Sequence, residues 1–245
     1  MTQHGKKYRQ AFGQIDREKL YTPVEAVRML KGLESAKFDE AVEVHFRLGL
    51  NVRHAEQQLR GTLMLPHGTG KDVRIAVFAE GEKAKEATDA GADIVGSADL
   101  ATQIEGGFDD FDVAIATPDQ MGVVGKLGRI LGPRGKMPNP KTGTVTMDVG
   151  KAVREAKAGK LEYRTDRGAN VHVSIGKRSF EERPLVENYA ALIDEIMRAK
   201  PAAAKGRYIH RITLTTTMGP GIHVDPARTR GIVEELEEQA EPVSA

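Results

Sequence analysis

The sequence contains no cysteine, and no apolar run approaches the roughly 20 residues that a membrane-spanning helix needs. The absence of cysteine excludes disulfide bonds, thiol nucleophiles and cysteine-ligated zinc or iron–sulfur sites. The N-terminal segment is basic, but it lacks the apolar stretch of a secretory signal. We therefore expect a soluble cytoplasmic protein that has no association with membranes.

The motifs of common enzymes and nucleotide-binding proteins are also missing. Residues 67–72 (HGTGKD) resemble a phosphate-binding loop, but Leu65 replaces its first glycine and Asp72 stands where serine or threonine is required. There is no G-x-G-x-x-G after the first strand of the middle region and no G-x-S-x-G, and the seven histidines lack metal-ligand spacing. The sequence thus predicts no catalytic residues, no metal ion and no cofactor.

The net charge of +1 hides an uneven distribution along the chain. Residues 1–67 carry a net charge of +3 and residues 161–231 carry +4, whereas residues 68–160 carry −1 and residues 232–245 carry −5. The two cationic flanks favour a negatively charged partner such as a nucleic acid. The alternative is that these charges are ordinary solvated surface, and charge alone leaves both interpretations open.

The two flanks show the patterns of an antiparallel α+β domain. Residues 22–25 form a helix capping box with proline at the first helical position. Apolar and polar residues alternate over residues 42–50, which is the period-two pattern of a half-buried strand. The segments 161–165 and 170–175 alternate in the same way around a glycine-containing turn, residues 166–169, and predict a β-hairpin. Further elements are predicted as strands at 60–65 and 207–217 and as a helix at 185–196.

The middle of the chain alternates short buried strands with helices. This alternation predicts a small, doubly wound α/β sheet. Ser97 and Asp148 are the expected N-caps of two of its helices. The predicted strands are 73–79, 92–96, 111–117 and 142–147, and the predicted helices are 82–90, 98–105, 118–131 and 149–158.

The simplest architecture joins the two flanks into one domain. We predict a two-domain α+β protein in which residues 1–67 and 160–231 form a discontinuous antiparallel α+β domain. A Rossmann-like α/β domain, residues 68–159, is inserted into it, and residues 232–245 form an acidic tail. The insertion is favoured because neither flank alone has enough strands and helices to close a core. The alternative is three consecutive lobes.

Two segments are candidates for contact with phosphate or ribose. Residues 125–145 are rich in glycine and proline and carry five basic residues and no acidic residue, which suits a backbone that approaches phosphates closely. Residues 215–221 (TTTMGPG) end a strand with hydroxyl groups and a small glycine, contacts that the shallow minor groove of RNA permits. The alternatives are a solvated loop for the first segment and a routine strand end for the second. The basic side chains proposed as secondary RNA contacts are Arg129, Arg134, Lys136 and Lys141.

Several long segments resemble the bacterial L-one family of large-subunit ribosomal proteins, in order and over roughly residues 4–226. They are residues 37–49 (KFDEAVEVHFRLG), 59–71 (LRGTLMLPHGTGK), 116–145 (ATPDQMGVVGKLGRILGPRGKMPNPKTGTV), 171–177 (VHVSIGK) and 213–221 (TLTTTMGPG). The resemblance implies a two-domain fold with an inserted α/β unit. It also implies a structural, non-enzymatic protein of the large ribosomal subunit, associated with the ribosome in the cytoplasm and monomeric when free.

The resemblance implies three RNA partners. The family binds large-subunit ribosomal RNA at the base of the mobile stalk beside the exit site, and it helps deacylated transfer RNA to leave. It also represses translation of its own operon by binding a messenger RNA leader that mimics the ribosomal site. A nucleotide-binding α/β enzyme that uses the 125–145 loop is the alternative function, and a protein-interaction module with an acidic tail is a third.

The family's RNA-binding residues carry over by motif to the discontinuous domain. They are Lys37, Phe38, Glu40, Arg164, His172, Thr215, Thr217, Met218 and Gly219. Lys37 and Arg164 are expected to neutralise phosphates, and Phe38 is expected to pack beneath the loop rather than stack on a base. Glu40 is expected to orient a basic side chain or to accept a hydrogen bond from a 2′-hydroxyl. Two positions depart from the family pattern, because Ala41 stands where threonine is common and Arg211 where serine is common.

Overall fold

The computed structural model describes residues 5–33 and 36–240. Contacts divide the chain into two compact units. One unit, here the split unit, contains residues up to 70 together with residues from 163 onward, and the other, the inserted unit, is Lys71–Glu162. The divisions lie three residues beyond each predicted boundary, because the strand that begins at Lys160 runs across the second one.

Helices and strands occur in both units, which confirms the predicted mixed fold class. The helices are α1 (Lys6–Gly13), α2 (Pro23–Gly32), α3 (Gly81–Asp89), α4 (Ala98–Glu105), α5 (Met121–Val124), α6 (Gly128–Leu131), α7 (Val149–Lys157), α8 (Glu182–Arg198) and α9 (Ile232–Ala240). The strands are β1 (Ala41–Leu48), β2 (Arg60–Met64), β3 (Ile75–Phe78), β4 (Ile94–Gly96), β5 (Val113–Ala116), β6 (Lys160–Arg164), β7 (Asn170–Lys177), β8 (Ile209–Thr216) and β9 (Ile222–Val224). Short 3₁₀ turns lie at Ala55–Gln57, Pro118–Gln120, Gly125–Leu127 and Pro140–Thr142.

The split unit is built on a four-stranded antiparallel sheet with the strand order β7-β1-β8-β9. Strand β1 comes from the first flank, and its neighbours β7 and β8 come from the last flank. One face of the sheet is covered by α2 and α8, whose apolar stripes pack onto it and are fully buried. The predicted capping box begins α2, since the Thr22 hydroxyl accepts from the Glu25 N–H and the Glu25 carboxylate accepts from the Thr22 N–H.

The opposite face of this sheet, here the open face, carries polar side chains that are half-buried or exposed. The alternation predicted for β1 produces this arrangement, because its even-numbered residues 42–48 are buried while the odd-numbered residues point away from the core. The open face consists of Glu43, His45 and Arg47 on β1, His172 and Ser174 on β7, Arg211, Thr213 and Thr215 on β8, and His223 on β9.

The predicted hairpin of residues 161–165 and 170–175 is wrong in its strand pairing. Strand β6 pairs with β2 in a separate two-stranded sheet, and a single bridge from Thr165 to Val171 links it to β7. The side chain of Tyr163 explains the choice, since its ring lies where a Cβ at Gly61 would be and its hydroxyl donates to Glu195 at 2.9 Å. Alternation identifies a strand and its buried face, but not its partner.

The inserted unit contains a three-stranded parallel sheet with the order β4-β3-β5. Ala76 and Phe78 pack on one side against α4, α5 and α6, and Ile75 and Val77 pack on the other side against α3 and α7. This confirms the doubly wound α/β prediction. The predicted strand 142–147 is reduced to a bridge from Val145 to Ala116.

The two predicted helix caps of the inserted unit have different outcomes. The Asp148 carboxylate accepts from the Lys151 N–H at 3.1 Å, as expected of an N-cap. Ser97 stands at the N-cap position of α4, but its hydroxyl lies 2.7 Å from oxygens of Glu80 and Gln120 and makes no cap bond. The predicted helix 118–131 is divided into 3₁₀ turns and the short helices α5 and α6.

The acidic C-terminal segment begins as a packed helix. Ile232 and Leu236 are buried where α9 contacts α8 and α2. The first part of the predicted tail is therefore an element of the split unit, and residues 241–245 lie outside the described residues. No helix in the described ranges combines the length and the apolar character that crossing a membrane requires.

Candidate nucleic-acid interface

The end of β8 and the start of β1 meet at one corner of the sheet, where the chain makes a tight turn at residues 216–219. We call these residues the Thr-Met-Gly turn. The Thr217 N–H donates to the Ala41 carbonyl at 3.1 Å, and the Ala41 N–H donates to the Thr217 hydroxyl at the same distance. The Gly219 N–H closes the turn by donating to the Thr216 carbonyl at 3.2 Å. The turn is thus fixed to the first strand while its tip faces outward, with Met218 62% exposed.

Glu40 lies beneath the turn and is only 1% exposed. One carboxylate oxygen accepts from the Met218 N–H at 3.0 Å, and the other accepts from the Ala36 N–H at 2.6 Å. Burial raises the pKa of Glu40, but hydrogen bonds from the Thr216 side chain and from the two backbone groups, together with the nearby charge of Arg178, outweigh burial and lower it. This buried carboxylate therefore holds the turn from beneath, and a contact of Glu40 with a 2′-hydroxyl stays a prediction.

Lys37 and Phe38 precede Glu40 at the same corner, and both are exposed. Phe38 is 54% exposed, which corrects the expectation that its ring packs beneath the loop. An exposed ring held beside a fixed turn is available for stacking on a base. Because Glu40 joins Ala36 to Met218, this short segment and the Thr-Met-Gly turn form one surface.

Two further residues of the predicted site support the turn from within. The Thr215 hydroxyl donates to carbonyl oxygens at the turn, with Gly219 O at 3.1 Å. A Cβ at Gly219 would lie 2.3 Å from the Thr216 hydroxyl, so only glycine leaves that hydroxyl free to bond Glu40. Of the four predicted residues from Thr215 to Gly219, Thr217 and Met218 are exposed, whereas Thr215 and Gly219 are half-buried.

The open face carries a pair of histidines. His45 and His172 are opposite each other in the β1–β7 register, and their Nδ1 atoms lie 2.9 Å apart. Such a bond needs one protonated and one unprotonated nitrogen, so one ring accepts from the other. Burial lowers the pKa of His45, as does the His172 ring, and Glu43 opposes both. His172 is exposed and remains available to a ligand on the open face.

Arg164 ends β6 and is exposed. It stands on the two-stranded sheet with β2, so the structure does not bring it into the β-sheet that carries the other predicted residues. Within residues 5–33 and 36–240, no hydrogen bond joins its side chain to the Thr-Met-Gly turn.

The four basic side chains proposed as secondary RNA contacts in the inserted unit differ in whether they are already paired within the protein. The ammonium group of Lys136 is engaged within the unit, since it donates to the Asp109 carboxylate at 2.7 Å and to two backbone carbonyls and lies over the Phe111 ring. Its contact with RNA stays a prediction. The guanidinium group of Arg134 forms an ion pair with the same Asp109 carboxylate at 3.0 Å. Arg129 and Lys141 are exposed.

The described residues contain no group of three or more His, Asp or Glu side chains arranged to hold a metal ion.

Sequence reasoning missed helix α1 and its contribution beside the turn. A cavity of about 480 Å³ adjoins Met218 and Gly219 and is lined on its other side by Lys7 and Tyr8. The signal was present as the basic and aromatic run KKYR, but its eight-residue helix buries only Ala11 and so lacks the stripe of several buried apolar residues that identifies a core helix.

Comparison with known proteins identifies the family. The model of the family described as "Ribosomal protein L1p/L10e family" matches residues 30–220. Three curated relatives are each named "Large ribosomal subunit protein uL1". The protein of Thermobifida fusca is 63% identical over 92% of this chain and 96% of the relative. The protein of Beutenbergia cavernae is 58% identical over 96% and 99%, and that of Mycolicibacterium smegmatis is 58% identical over 96% and 100%.

The family model covers residues of both units and, apart from Gly221, every segment that carried the resemblance. The family is one of structural ribosomal proteins and not of enzymes, so the alternative of a nucleotide-binding enzyme is set aside. With its family model spanning most of the sequence, the chain belongs to the ribosomal protein L1p/L10e family.

Proposed function

We propose that this ribosomal protein is a component of the large ribosomal subunit that binds ribosomal RNA through the split unit. As a member of a ribosomal protein family it works on the ribosome in the cytoplasm. The proposal places its binding site at the base of the mobile stalk beside the exit site, where it assists the release of deacylated transfer RNA. It further includes repression of the protein's own operon by binding the messenger RNA leader.

The observation that carries the proposal is the Thr-Met-Gly turn on its buried carboxylate. Met218 is exposed although its backbone is fixed from below, so the turn presents a rigid, protruding tip. RNA minor grooves are wide and shallow and display 2′-hydroxyls, which a tip of backbone, hydroxyl and thioether groups can contact. Such contacts recognise the shape of folded RNA rather than a base code, and this suits a site that two different RNAs share.

The charged groups supply a second part of the proposed interaction. Lys37 beside the turn is exposed and would neutralise a phosphate, and Arg164 would do so for an RNA long enough to reach β6. Each such contact raises the salt dependence of binding, by about 0.7–0.9 in the slope of log K against log salt. In the inserted unit, Arg129 and Lys141 remain as candidates for contact with transfer RNA.

A competition experiment tests this proposal. A labelled transcript of the ribosomal stalk region is bound to the protein and displaced with a transcript of the protein's own messenger leader. We expect mutual displacement because both RNAs would use the same turn. Met218→Ala should weaken binding of both transcripts by about 1–3 kcal/mol. Met147→Ala, at a methionine 53% exposed in the inserted unit, is the matched control and should bind like the unaltered protein. Absence of binding by the unaltered protein would contradict the proposal.

A further inference from the structure

A second candidate site lies at the other end of the open face, away from the Thr-Met-Gly turn. A cavity of about 930 Å³ opens there beside the end of β1, the start of β8 and the turn before β7. Its basic residues come from three segments of the chain, and we call the surface that they form the basic groove. They are Arg47, Lys205, His210 and Arg211.

The groove is cationic without any compensating carboxylate. All four side chains belong to exposed residues, and the described residues that line the cavity include no aspartate or glutamate. Within the described ranges, none of the four takes part in an ion pair. Unpaired cations in a concave surface concentrate positive potential and attract anions.

Folding alone does not account for this arrangement. Arg47 and Arg211 are direct partners in the β1–β8 register, and like charges placed opposite each other destabilise a sheet. The close approach of the flanking backbone depends on Gly49, since a Cβ there would lie 2.3 Å from the Arg207 carbonyl and 2.7 Å from the His210 ring. The chain therefore holds several cations together where the sheet would be more stable without them.

The groove is continuous with the surface already described. Along β1, Arg47 follows Ala41 by six residues, a span of about 20 Å at the rise of an extended strand. On the open face between them lie Glu43 and His45, opposite Thr215 and Thr213 of β8. Across β8, burial first and then the charges of Arg211 and Arg17 lower the pKa of His223 on β9. An RNA strand held at the turn can thus follow the open face to the basic groove.

We propose that the basic groove binds phosphate groups of the same RNA that the Thr-Met-Gly turn contacts, as a second anchoring point on the open face. This inference rests on the proposed function. The ligand chemistry is the phosphodiester backbone, recognised as charge without base specificity. The groove would therefore contribute to affinity and to its salt dependence, while the turn determines which folded RNA is bound.

The test compares two variants from which the same amount of charge is removed. One combines Arg47→Gln, Lys205→Gln and Arg211→Gln in the groove, and the control combines Lys85→Gln, Lys151→Gln and Lys157→Gln on α3 and α7. Binding of the stalk transcript is titrated over a series of salt concentrations. We expect the groove variant to lose roughly 10- to 100-fold in affinity at about 0.1 M salt and about 2–3 in the salt slope. The control should change neither quantity by a comparable amount.

Two outcomes would overturn the inference, and a single-residue variant guards the test against misfolding. If Met218→Ala weakens binding while the groove variant keeps the slope of the control, the groove inference is overturned and the proposed function stands. Competition by inorganic phosphate at constant ionic strength, with the RNA slope unchanged, would assign the groove to a small anion and also overturn it. Lys205→Gln alone, in the segment before β8, guards against misfolding of the triple variant and should lower the slope by about 0.7–0.9.

Discussion

A carboxylate oxygen of Glu40 accepts a hydrogen bond from the backbone N–H of Met218 at 3.0 Å, across 178 positions of sequence. The first residue is buried and charged, and the second carries one of the most exposed apolar side chains of the described protein. This hydrogen bond fixes the backbone of the Thr-Met-Gly turn at the end of β8. It also means that the shape of the proposed RNA contact depends on the ionisation of a buried carboxylate beneath it.

Glu40→Gln should destabilise the split unit and weaken RNA binding together. Backbone N–H groups of Ala36 and Met218 and the Thr216 side chain all bond to this carboxylate, so an amide would place its own donor against one of them. A buried donor left unsatisfied costs about 1–3 kcal/mol, which urea unfolding at neutral pH should reveal. Glu43→Gln, on the open face of the adjoining strand β1, is the control and should leave stability within about 0.5 kcal/mol.

The stability difference between Glu40→Gln and the unaltered protein should depend on pH. The pKa of Glu40 is lowered by folding from its ordinary value of 4.5, so its contribution is fully present above about pH 4.5 and is lost as the pH falls through the lower folded pKa. The two proteins should therefore converge in acid. A difference in unfolding free energy that stays constant down to the pH of acid unfolding would argue against an ionised Glu40.

Gly219→Ala should distort the turn although it adds a single methyl group. The new Cβ would lie 2.3 Å from the Thr216 hydroxyl, which also bonds Glu40, so the turn or that hydrogen bond has to move. We expect RNA affinity to fall by about 1–3 kcal/mol in a filter-binding titration. Gly122→Ala, where no atom lies within 4 Å of the added carbon, should bind normally. Equal binding by both variants would show that the turn tolerates displacement.

Phe38→Ala should reduce RNA affinity without loss of stability. The ring is 54% exposed, so its removal takes little apolar area from the core. Stacking of a base on an aromatic ring contributes about 1–3 kcal/mol, and Phe38→Tyr should keep most of that. Thermal unfolding measures the effect on stability, and an RNA-binding titration measures the effect on affinity. A lowered melting temperature with unchanged affinity would instead favour a packing role for the ring.

Replacing residues 71–159 by a short glycine-serine linker should leave RNA binding by the split unit largely intact. Each unit has its own buried core and its own sheet, and the residues proposed to contact ribosomal RNA all belong to the split unit. The variant is tested for binding of the stalk transcript, with Met218→Ala in the same shortened chain as its control. Complete loss of binding by a folded shortened chain would show that RNA binding requires the inserted unit.

Local sequence signals predicted the helices and strands of this fold better than the pairing between strands. The capping box at Thr22 and the alternation of β1 depend on nearest neighbours in the chain, and both are confirmed. The pairing of β6 with β2 depends on how Tyr163 fits over Gly61, a long-range contact that alternation does not encode. The site shows the same division, since the sequence indicated Met218 and its turn, whereas the burial of Glu40 and the exposure of Phe38 follow only from three-dimensional packing.

The central position of β1 has a consequence for how the protein is made. The strand ends at Leu48, but its two neighbours begin at Asn170 and Ile209. During synthesis the inserted unit is contiguous, so it is complete and able to fold before β7 and β8 have been made. Until then β1 has no partner strand on either edge. A nascent chain thus forms the β1–β8 pairing, and the hydrogen bond from the Met218 N–H to Glu40, only after β8 has emerged.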